Sequence, residues 1–243
     1  MKRTENSYEI IDVSDITNVR FYTSVDQGSY IPPHWHRAVE IIYMQEGSLD
    51  ITVESRSFTI HPGDCTLINA NVLHSTKCIN PNKAIVLQIP LDFMEKYIPN
   101  VQQLLFILDH TSTDPVRSTK TAMLCTVLEQ MQIIDEIRPD GFIMRFNSLI
   151  FELLFQLYHN FSVKVFQSDL SQKKKDLDRL NVVLKYIADH YQRPISLAEI
   201  SEIAYLQTGY FCRFFKKRMG ITFLEYQNEL RLSYIYQDII STD

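Results

Sequence analysis

The sequence lacks the cysteine patterns that cross-link or ligate small domains. Its four cysteines, at positions 65, 78, 125 and 212, include no Cys-x-x-Cys pair. This argues against a zinc finger and against a disulfide framework. A reducing cytoplasm is therefore the simplest compartment to expect.

Long apolar stretches are also missing. The first ten residues contain no apolar signal core, and no run approaches the roughly 18 uncharged apolar residues that a membrane span needs. We therefore expect neither a membrane span nor secretion.

Positive charge is scarce over the whole chain, which carries 24 Lys and Arg against 29 Asp and Glu. That balance is unfavourable for a nucleic-acid binder. The distribution is uneven, however, because from Lys173 onward 11 basic residues stand against 9 acidic ones, whereas the first 172 residues carry 13 against 20. This asymmetry fits an acidic sensing part and a mildly basic C-terminal part. A length of 243 residues favours two domains.

Short β-rich runs dominate residues 7–93. They cover residues 21–25, 38–44, 49–55, 56–61, 64–70 and 83–90. Turn signals such as Asp26–Gly28 and Pro62–Gly63 separate them. Many short strands at close spacing predict a β-sandwich or a jelly-roll barrel.

Three histidines and a glutamate in this region are candidate site residues. His34 and His36 are two apart, so on a strand both side chains leave the same face, and Glu40 can share that face. His74 follows the Pro62–Gly63 turn. Three imidazoles and one carboxylate can bind a divalent transition metal. The sequence leaves two alternatives open: these groups line a pocket for an organic ligand, or they are hydrogen-bonded interior residues.

The same residues resemble the first cupin signature, H-x-H, three or four residues, E, six residues, G. The matching residues are His34, His36, Glu40 and Gly47. The second signature is matched more loosely, because Pro62 and Gly63 are adjacent and His74 follows eleven residues after Gly63. The resemblance covers roughly residues 28–90. It implies a cupin-like barrel that holds either a metal or a small molecule, for which sugars are a candidate class.

The middle of the chain changes to helical periodicity. A helix is predicted from Ser118, with Met123, Val127 and Met131 on one stripe, and a second helix follows the break at 139–141. Together they form an αα-hairpin. The second helix is apolar over a wide arc, which favours a homodimer through the hairpin, unless both faces are covered within one chain. Residues 163–176 lose periodicity and are predicted to be a linker.

The C-terminal part predicts a helix-turn-helix. A supporting helix over 177–191 precedes a helix that opens with the capping box Ser196 and Glu199 and buries Leu197 on an apolar stripe. The helix over 208–219 has an inner aromatic face, and an outer face of small and basic residues follows the same helical spacing. Such a helix is a candidate to enter the DNA major groove, the alternative being an ordinary solvated basic helix.

Residues 196–204, Leu206 and residues 209–232 resemble the first half of the DNA-binding domain of AraC/XylS-type transcription regulators. The order of barrel, hairpin and helix-turn-helix is also typical of that family. The resemblance implies a ligand-responsive regulator, expected to be an activator, with DNA, a small-molecule effector and RNA polymerase as partners. By position, the base-reading residues are Gln207, Thr208, Gly209, Cys212 and Arg213, and the phosphate-contacting residues are Lys216 and Lys217. The second helix-turn-helix unit of the family is not expected in this sequence, which ends at Asp243.

The predicted architecture is therefore α+β with two domains. The segments are a barrel over 1–100, a helical hairpin over 101–162, a linker over 163–176 and a partial helix-turn-helix domain over 177–243. Two other functions remain open. One is a metal-dependent cupin enzyme that uses the same histidines and glutamate as ligands, and the other is a sensor that dimerises but holds DNA weakly.

Overall fold

Two four-stranded antiparallel sheets form the N-terminal half of the chain. The computed structural model describes residues 9–54, 56–109, 112–165, 167–228 and 230–231. The strands are β1 (Arg20–Asp26), β2 (Tyr30–His34), β3 (Ala38–Glu46), β4 (Leu49–Val53), β5 (Arg56–Ile60), β6 (Cys65–Ile68), β7 (His74–Lys77), β8 (Asn82–Pro90), β9 (Leu104–Phe106) and β10 (Ser162–Lys164). The sheet orders are β1-β8-β3-β6 and β2-β7-β4-β5, and β9 pairs with β10 separately. The predicted cupin-like barrel is confirmed.

Strands β3 and β8 are buried on both faces, which decides where their polar residues point. Ile41 of β3 and Leu87 of β8 pack against the helical hairpin, whereas Ile42 and Met44 belong to the core between the two sheets. Because side chains alternate along a strand, Glu40 and Gln88 face the barrel interior together with Ile42 and Met44. They are also cross-strand partners, so two polar side chains meet inside an otherwise apolar core.

The helices that follow form the predicted hairpin and a C-terminal helical unit. They are α1 (Leu91–Met94), α2 (Pro115–Ile137), α3 (Phe142–Gln156), α4 (Gln167–Asp189), α5 (Leu197–Ile203) and α6 (Thr208–Met219). Helix α2 begins at an Asp114 cap whose carboxylate accepts the Val116 N–H. Val127 and Met131 of the predicted inward stripe are buried, whereas Met123 is 53% exposed. Leu124 and Leu128 complete the buried stripe. None of these described helices is both long and apolar enough to cross a membrane.

The predicted linker over 163–176 is wrong. Strand β10 pairs with β9 over Ser162–Lys164, and α4 is helical from Gln167. The lysine run at 173–175, taken as linker composition, lies inside this helix. Lysine is a good helix former, so this lysine-rich turn extends the amphipathic helix toward its N-terminus instead of interrupting it.

The C-terminal unit has the predicted helix-turn-helix. Ser196 Oγ accepts the Glu199 N–H in a complete capping box, and Gly220 ends α6 in the left-handed conformation at φ 77°. Leu197 was expected on the buried stripe but is 42% exposed, because it lies in the first turn at the open end of α5. A further helical segment covers 223–228, and the long helix predicted from there to residue 240 lies mostly outside the described residues.

Candidate functional site

The three candidate histidines converge inside the barrel, although they do not share one strand. His34 ends β2, His36 lies in the connection to β3, and His74 begins β7 directly opposite His34. One nitrogen from each ring lies within 4.8 Å of the other two. The prediction that one strand carries both His34 and His36 is wrong, because the pairing of β2 with β7 ends at the His34–His74 pair.

Main-chain carbonyl oxygens fix the tautomer of all three rings. Each Nδ1 lies 2.9–3.0 Å from a carbonyl oxygen two residues away. The acceptors are the carbonyls of Pro32, Ala38 and Val72, for His34, His36 and His74 respectively. A carbonyl oxygen only accepts, so each Nδ1 carries a hydrogen, and Nε2 is the ring nitrogen left for a further proton or a metal ion. A hydrogen bond from the ring nitrogen that does not face the ion is what orients metal-binding histidines in proteins.

Glu40 supplies the carboxylate of the cluster, as predicted. Its Oε2 lies 2.7 Å from His36 Nε2 and 3.6 Å from His74 Nε2, and it also accepts a 2.8 Å hydrogen bond from Gln88 Nε2. His74 Nε2 is buried and has no hydrogen-bond partner among the described residues. Three Nε2 atoms and a carboxylate oxygen therefore meet inside the barrel, and a cation that accepts electron pairs fits this donor set.

Burial and neighbouring charges set the protonation of these groups. Burial lowers the pKa of His34 to about 3, so its imidazole is neutral at physiological pH. Burial alone would raise the pKa of Glu40, but the neighbouring His36 and His74 imidazoles outweigh it and hold that pKa well below its usual value. Burial also opposes the charged form of His74, yet the nearby Glu40 carboxylate prevails and raises the pKa of His74. A neutral imidazole beside an ionised carboxylate suits a divalent transition metal.

Two further residues of the cluster were not foreseen. Gln88 could have been found as the polar side chain that interrupts the apolar run of β8 from Ala84 to Ile89. Glu9 has no local signal, since it lies in the N-terminal segment, where its Oε2 comes 3.5 Å from His34 Nε2. Glu9 also pairs with Arg20 at 2.9 Å, which ties this segment to β1.

The predicted DNA-contacting residues all lie on the exposed face of the helix-turn-helix. They are Gln207, Thr208, Gly209, Cys212, Arg213, Lys216 and Lys217. The opposite face of α6 buries Phe211, Phe214 and Phe215 in the domain core. The helix begins at Gln207 without a side-chain cap, and the Arg213 guanidinium lies 6.0 Å from the centre of the Tyr210 ring. Basic and small side chains are thus available together on one helical surface.

The histidine cluster and the helix-turn-helix are joined through a shared hydrophobic core. Trp35, between His34 and His36, and Leu73, next to His74, belong to the same buried cluster as Phe211 and Phe215. The packing therefore places the segments that carry the histidines in direct continuity with the core beneath α6. No sequence pattern indicated this contact.

Arg218 adds a polar link between the same two parts. Its guanidinium pairs with Asp176 of α4 and lies 3.7 Å from Glu54, which follows β4 of the barrel. Unlike Lys216 and Lys217, Arg218 points away from the exposed face of α6, and its side chain is only 21% exposed.

Comparison with known proteins gives the same two parts, an N-terminal barrel and a C-terminal helix-turn-helix. Residues 21–90 match the cupin domain family, and residues 187–228 match the bacterial regulatory helix-turn-helix proteins of the AraC family. The chain is 30% identical over 201 residues to a Photobacterium leiognathi protein named "Probable transcriptional regulator LumQ", covering 82% of this chain and 73% of that one. It is 24% identical over 233 residues to the HTH-type transcriptional regulator YdeC of Bacillus subtilis, covering 87% of this chain and 75% of that one.

Among solved structures, a cupin superfamily protein from Desulfitobacterium hafniense aligns with 33% of this chain and 72% of its own, at 15% identity and a TM-score of 0.30.

Proposed function

Because the chain belongs to the AraC family of DNA-binding transcriptional regulators and carries a cupin domain, we propose that a divalent transition metal in its barrel controls DNA binding. His34, His36 and His74 hold the ion through Nε2, and Glu40 supplies a carboxylate oxygen. When bound, the ion acts as a charge that fixes these four side chains in one arrangement. Hydroxyl or carboxylate oxygens of a small organic effector, a sugar among them, are further ligands that such an ion accepts.

One observation carries the proposal: the segments that hold the histidine cluster are also the segments that pack on the helix-turn-helix. A ligand controls an equilibrium only if it binds one arrangement better than another. Drawing His36 and His74 onto an ion moves the backbone that holds Trp35 and Leu73, which share the core of the DNA-binding unit. The free energy of metal binding is thereby coupled to the packing of α6 against the barrel.

The exposed face of α6 supplies the DNA contacts in this proposal. Arg213 donates two parallel hydrogen bonds to guanine, because the spacing of its guanidinium N–H groups matches guanine O6 and N7. Lys216 and Lys217 contact phosphates, which fixes register and makes binding depend on salt. Cys212 and Gly209 are small, so they let the helix approach the base pairs closely.

We expect Arg213→Ala to weaken binding to a selected high-affinity duplex by about 1–3 kcal/mol and to relax preference at one base pair. Lys217→Ala should instead weaken binding to selected and scrambled duplexes alike and reduce the salt slope by about one. Fluorescence anisotropy with both duplexes across a salt series measures both effects.

Lys185→Ala is the matched control, because Lys185 is an exposed cation on α4 and not on the predicted DNA face. It should change neither quantity. Equal losses from Arg213→Ala on selected and scrambled duplexes would show that Arg213 reads no base.

We further propose that α3 forms the homodimer interface. Its outward face carries Met144, Phe151, Phe155 and, in the following turn, Tyr158. They are spaced by seven, four and three residues, so they form one stripe along the helix. Met144 is 77% and Phe155 59% exposed, which is unusual for large apolar side chains that lie next to one another.

Phe155→Glu should convert the dimer into a monomer at micromolar concentration, because it places a charge in an apolar interface. Size-exclusion chromatography with light scattering measures the mass directly. Val25→Glu introduces the same charge at an exposed apolar residue of β1 and should leave the dimer intact. A wild-type chain that is itself monomeric, or a Phe155→Glu variant that stays dimeric, contradicts this interface.

A further inference from the structure

Two of the four cysteines lie together between the barrel and the hairpin. Cys65 begins β6 on the barrel sheet, and Cys125 lies in the middle of α2. Both are free and buried, at 1% and 7% exposure, in the core that joins the sheet to the hairpin. Sixty residues separate them along the chain, so their proximity is created by the fold.

The two thiols interact directly and unequally. Each thiol is the largest influence on the other, since the neighbouring sulfur raises the pKa of Cys65 and lowers the pKa of Cys125. The Cys125 sulfur is therefore the one that more readily becomes a thiolate, and the thiolate is the nucleophilic form of cysteine.

Small polar molecules can reach this pair. Both cysteines line a cleft of about 410 Å³ between the barrel and α2, together with Asp64, Thr121 and Glu129. Hydroxyl and carboxylate groups make up much of the remaining lining, and the Tyr43 hydroxyl donates to Glu129 at 2.9 Å on its wall. The cleft thus leads a hydrophilic reagent to thiols that are otherwise covered by apolar packing.

The surroundings favour thiol chemistry over metal binding here. Within the described part of the chain, three or more His, Cys, Asp or Glu ligand atoms come together at the histidine cluster and nowhere else. A pair of sulfurs without a third ligand falls short of the usual coordination of a structural or catalytic metal. The other two cysteines differ, since Cys212 is exposed on α6 and Cys78 donates to the Asn80 carbonyl at 3.0 Å.

We propose that Cys65 and Cys125 form a dithiol–disulfide redox site whose oxidant is a hydroperoxide. The Cys125 thiolate attacks the peroxide oxygen, the O–O bond breaks, and the leaving alkoxide or hydroxide takes up the proton that Cys125 released. The Cys65 sulfur then attacks the resulting sulfenic acid, forming the S–S bond and releasing water. In total, two thiols and one hydroperoxide give one disulfide, one alcohol or water, and one further water.

The product would join the barrel to the hairpin covalently. It closes a loop from residue 65 to residue 125 and restricts the unfolded chain, so the oxidised protein should unfold at a higher temperature than the reduced one. Disulfides of reducing compartments are commonly reversible and act in redox sensing, which matches a pair reached through an open cleft.

The test uses the full chain, reduced, desalted and treated with hydrogen peroxide. Free thiols are then alkylated in denaturant and the protein is examined by intact-mass and peptide-mapping spectrometry. We expect the loss of two alkylatable thiols, a mass decrease of about 2 Da before alkylation, and a linked peptide pair containing residues 65 and 125. Dithiothreitol should restore both thiols.

Two variants complete the design. Cys78→Ser/Cys212→Ser leaves the proposed pair as the sole thiols and should give the same linked peptides. Cys65→Ser should give no link and leave a Cys125 sulfenic acid that dimedone traps. Four alkylatable thiols after peroxide treatment of the wild-type chain, or Cys125 oxidised to sulfinic acid without a linked peptide, would overturn the proposal whether or not the variants fold.

Discussion

Replacing His36 by alanine should lower the affinity of the barrel for Ni²⁺ by more than about 100-fold, since loss of a second-shell partner alone costs 10–100-fold. His36 is 1% exposed, its Nδ1 faces the Ala38 carbonyl, and its Nε2 is 2.7 Å from Glu40. The variant loses a ligand and leaves the Glu40 carboxylate with fewer hydrogen-bond donors. Isothermal titration calorimetry with Ni²⁺ measures the change.

Two companion variants make this result specific. His61→Ala removes an exposed imidazole from the turn between β5 and β6 and should bind Ni²⁺ like the wild type. His34→Ala removes a ligand at the less buried edge of the cluster, so it tests the site with little risk to the barrel core. Unchanged Ni²⁺ affinity in both His36→Ala and His34→Ala would show that the cluster is not a metal site.

Phe215→Ala should destabilise the helix-turn-helix by about 3–5 kcal/mol, the usual cost of truncating a fully buried phenylalanine. Phe215 is 0% exposed, and its ring centre lies 5.6 Å from Phe211, 5.9 Å from Phe223 and 5.7 Å from Tyr226. The variant should lose DNA binding while the barrel still binds Ni²⁺, with an affinity changed by no more than its coupling to the helix-turn-helix.

The chain has one tryptophan, Trp35, and it lies in the same buried cluster as Phe215. Its emission therefore reports on the contact between barrel and helix-turn-helix, and it should shift to the red in the variant. Leu224→Ala is the control, because Leu224 is 62% exposed just beyond that core. Urea unfolding that begins at the wild-type concentration in Phe215→Ala would contradict the packing described here.

Local patterns predicted most of the fold because each reports on its own element. The β-rich runs and the turn signals between them predicted the barrel, the capping box at Ser196 predicted α5, and the inner aromatic face predicted α6. Strand β2 was missed because Pro32 and Pro33 lack the N–H groups of a regular ladder and break the strand pattern.

The site was only partly predictable, because some of its contacts join distant parts of the chain. The spacing of His34, His36 and Glu40 predicted that they lie together, because residues close in sequence are also close in space. Glu9 reaches the cluster from the N-terminal segment, and no local pattern encodes such a contact. Trp35 and Leu73 read as ordinary core residues, and only the packed structure shows that their core is the one beneath α6.

The most direct test of the account measures DNA affinity of the full chain with and without Ni²⁺, by anisotropy with a selected duplex at fixed salt. We expect Ni²⁺ to change the dissociation constant of the wild-type chain for DNA by about 5–150-fold, the range typical of coupled sites. Trp35 emission should shift over the same Ni²⁺ range, and neither the anisotropy nor the emission of His36→Ala should respond to Ni²⁺. A wild-type chain that binds Ni²⁺ by calorimetry yet holds DNA with the same affinity in its presence and absence would contradict it.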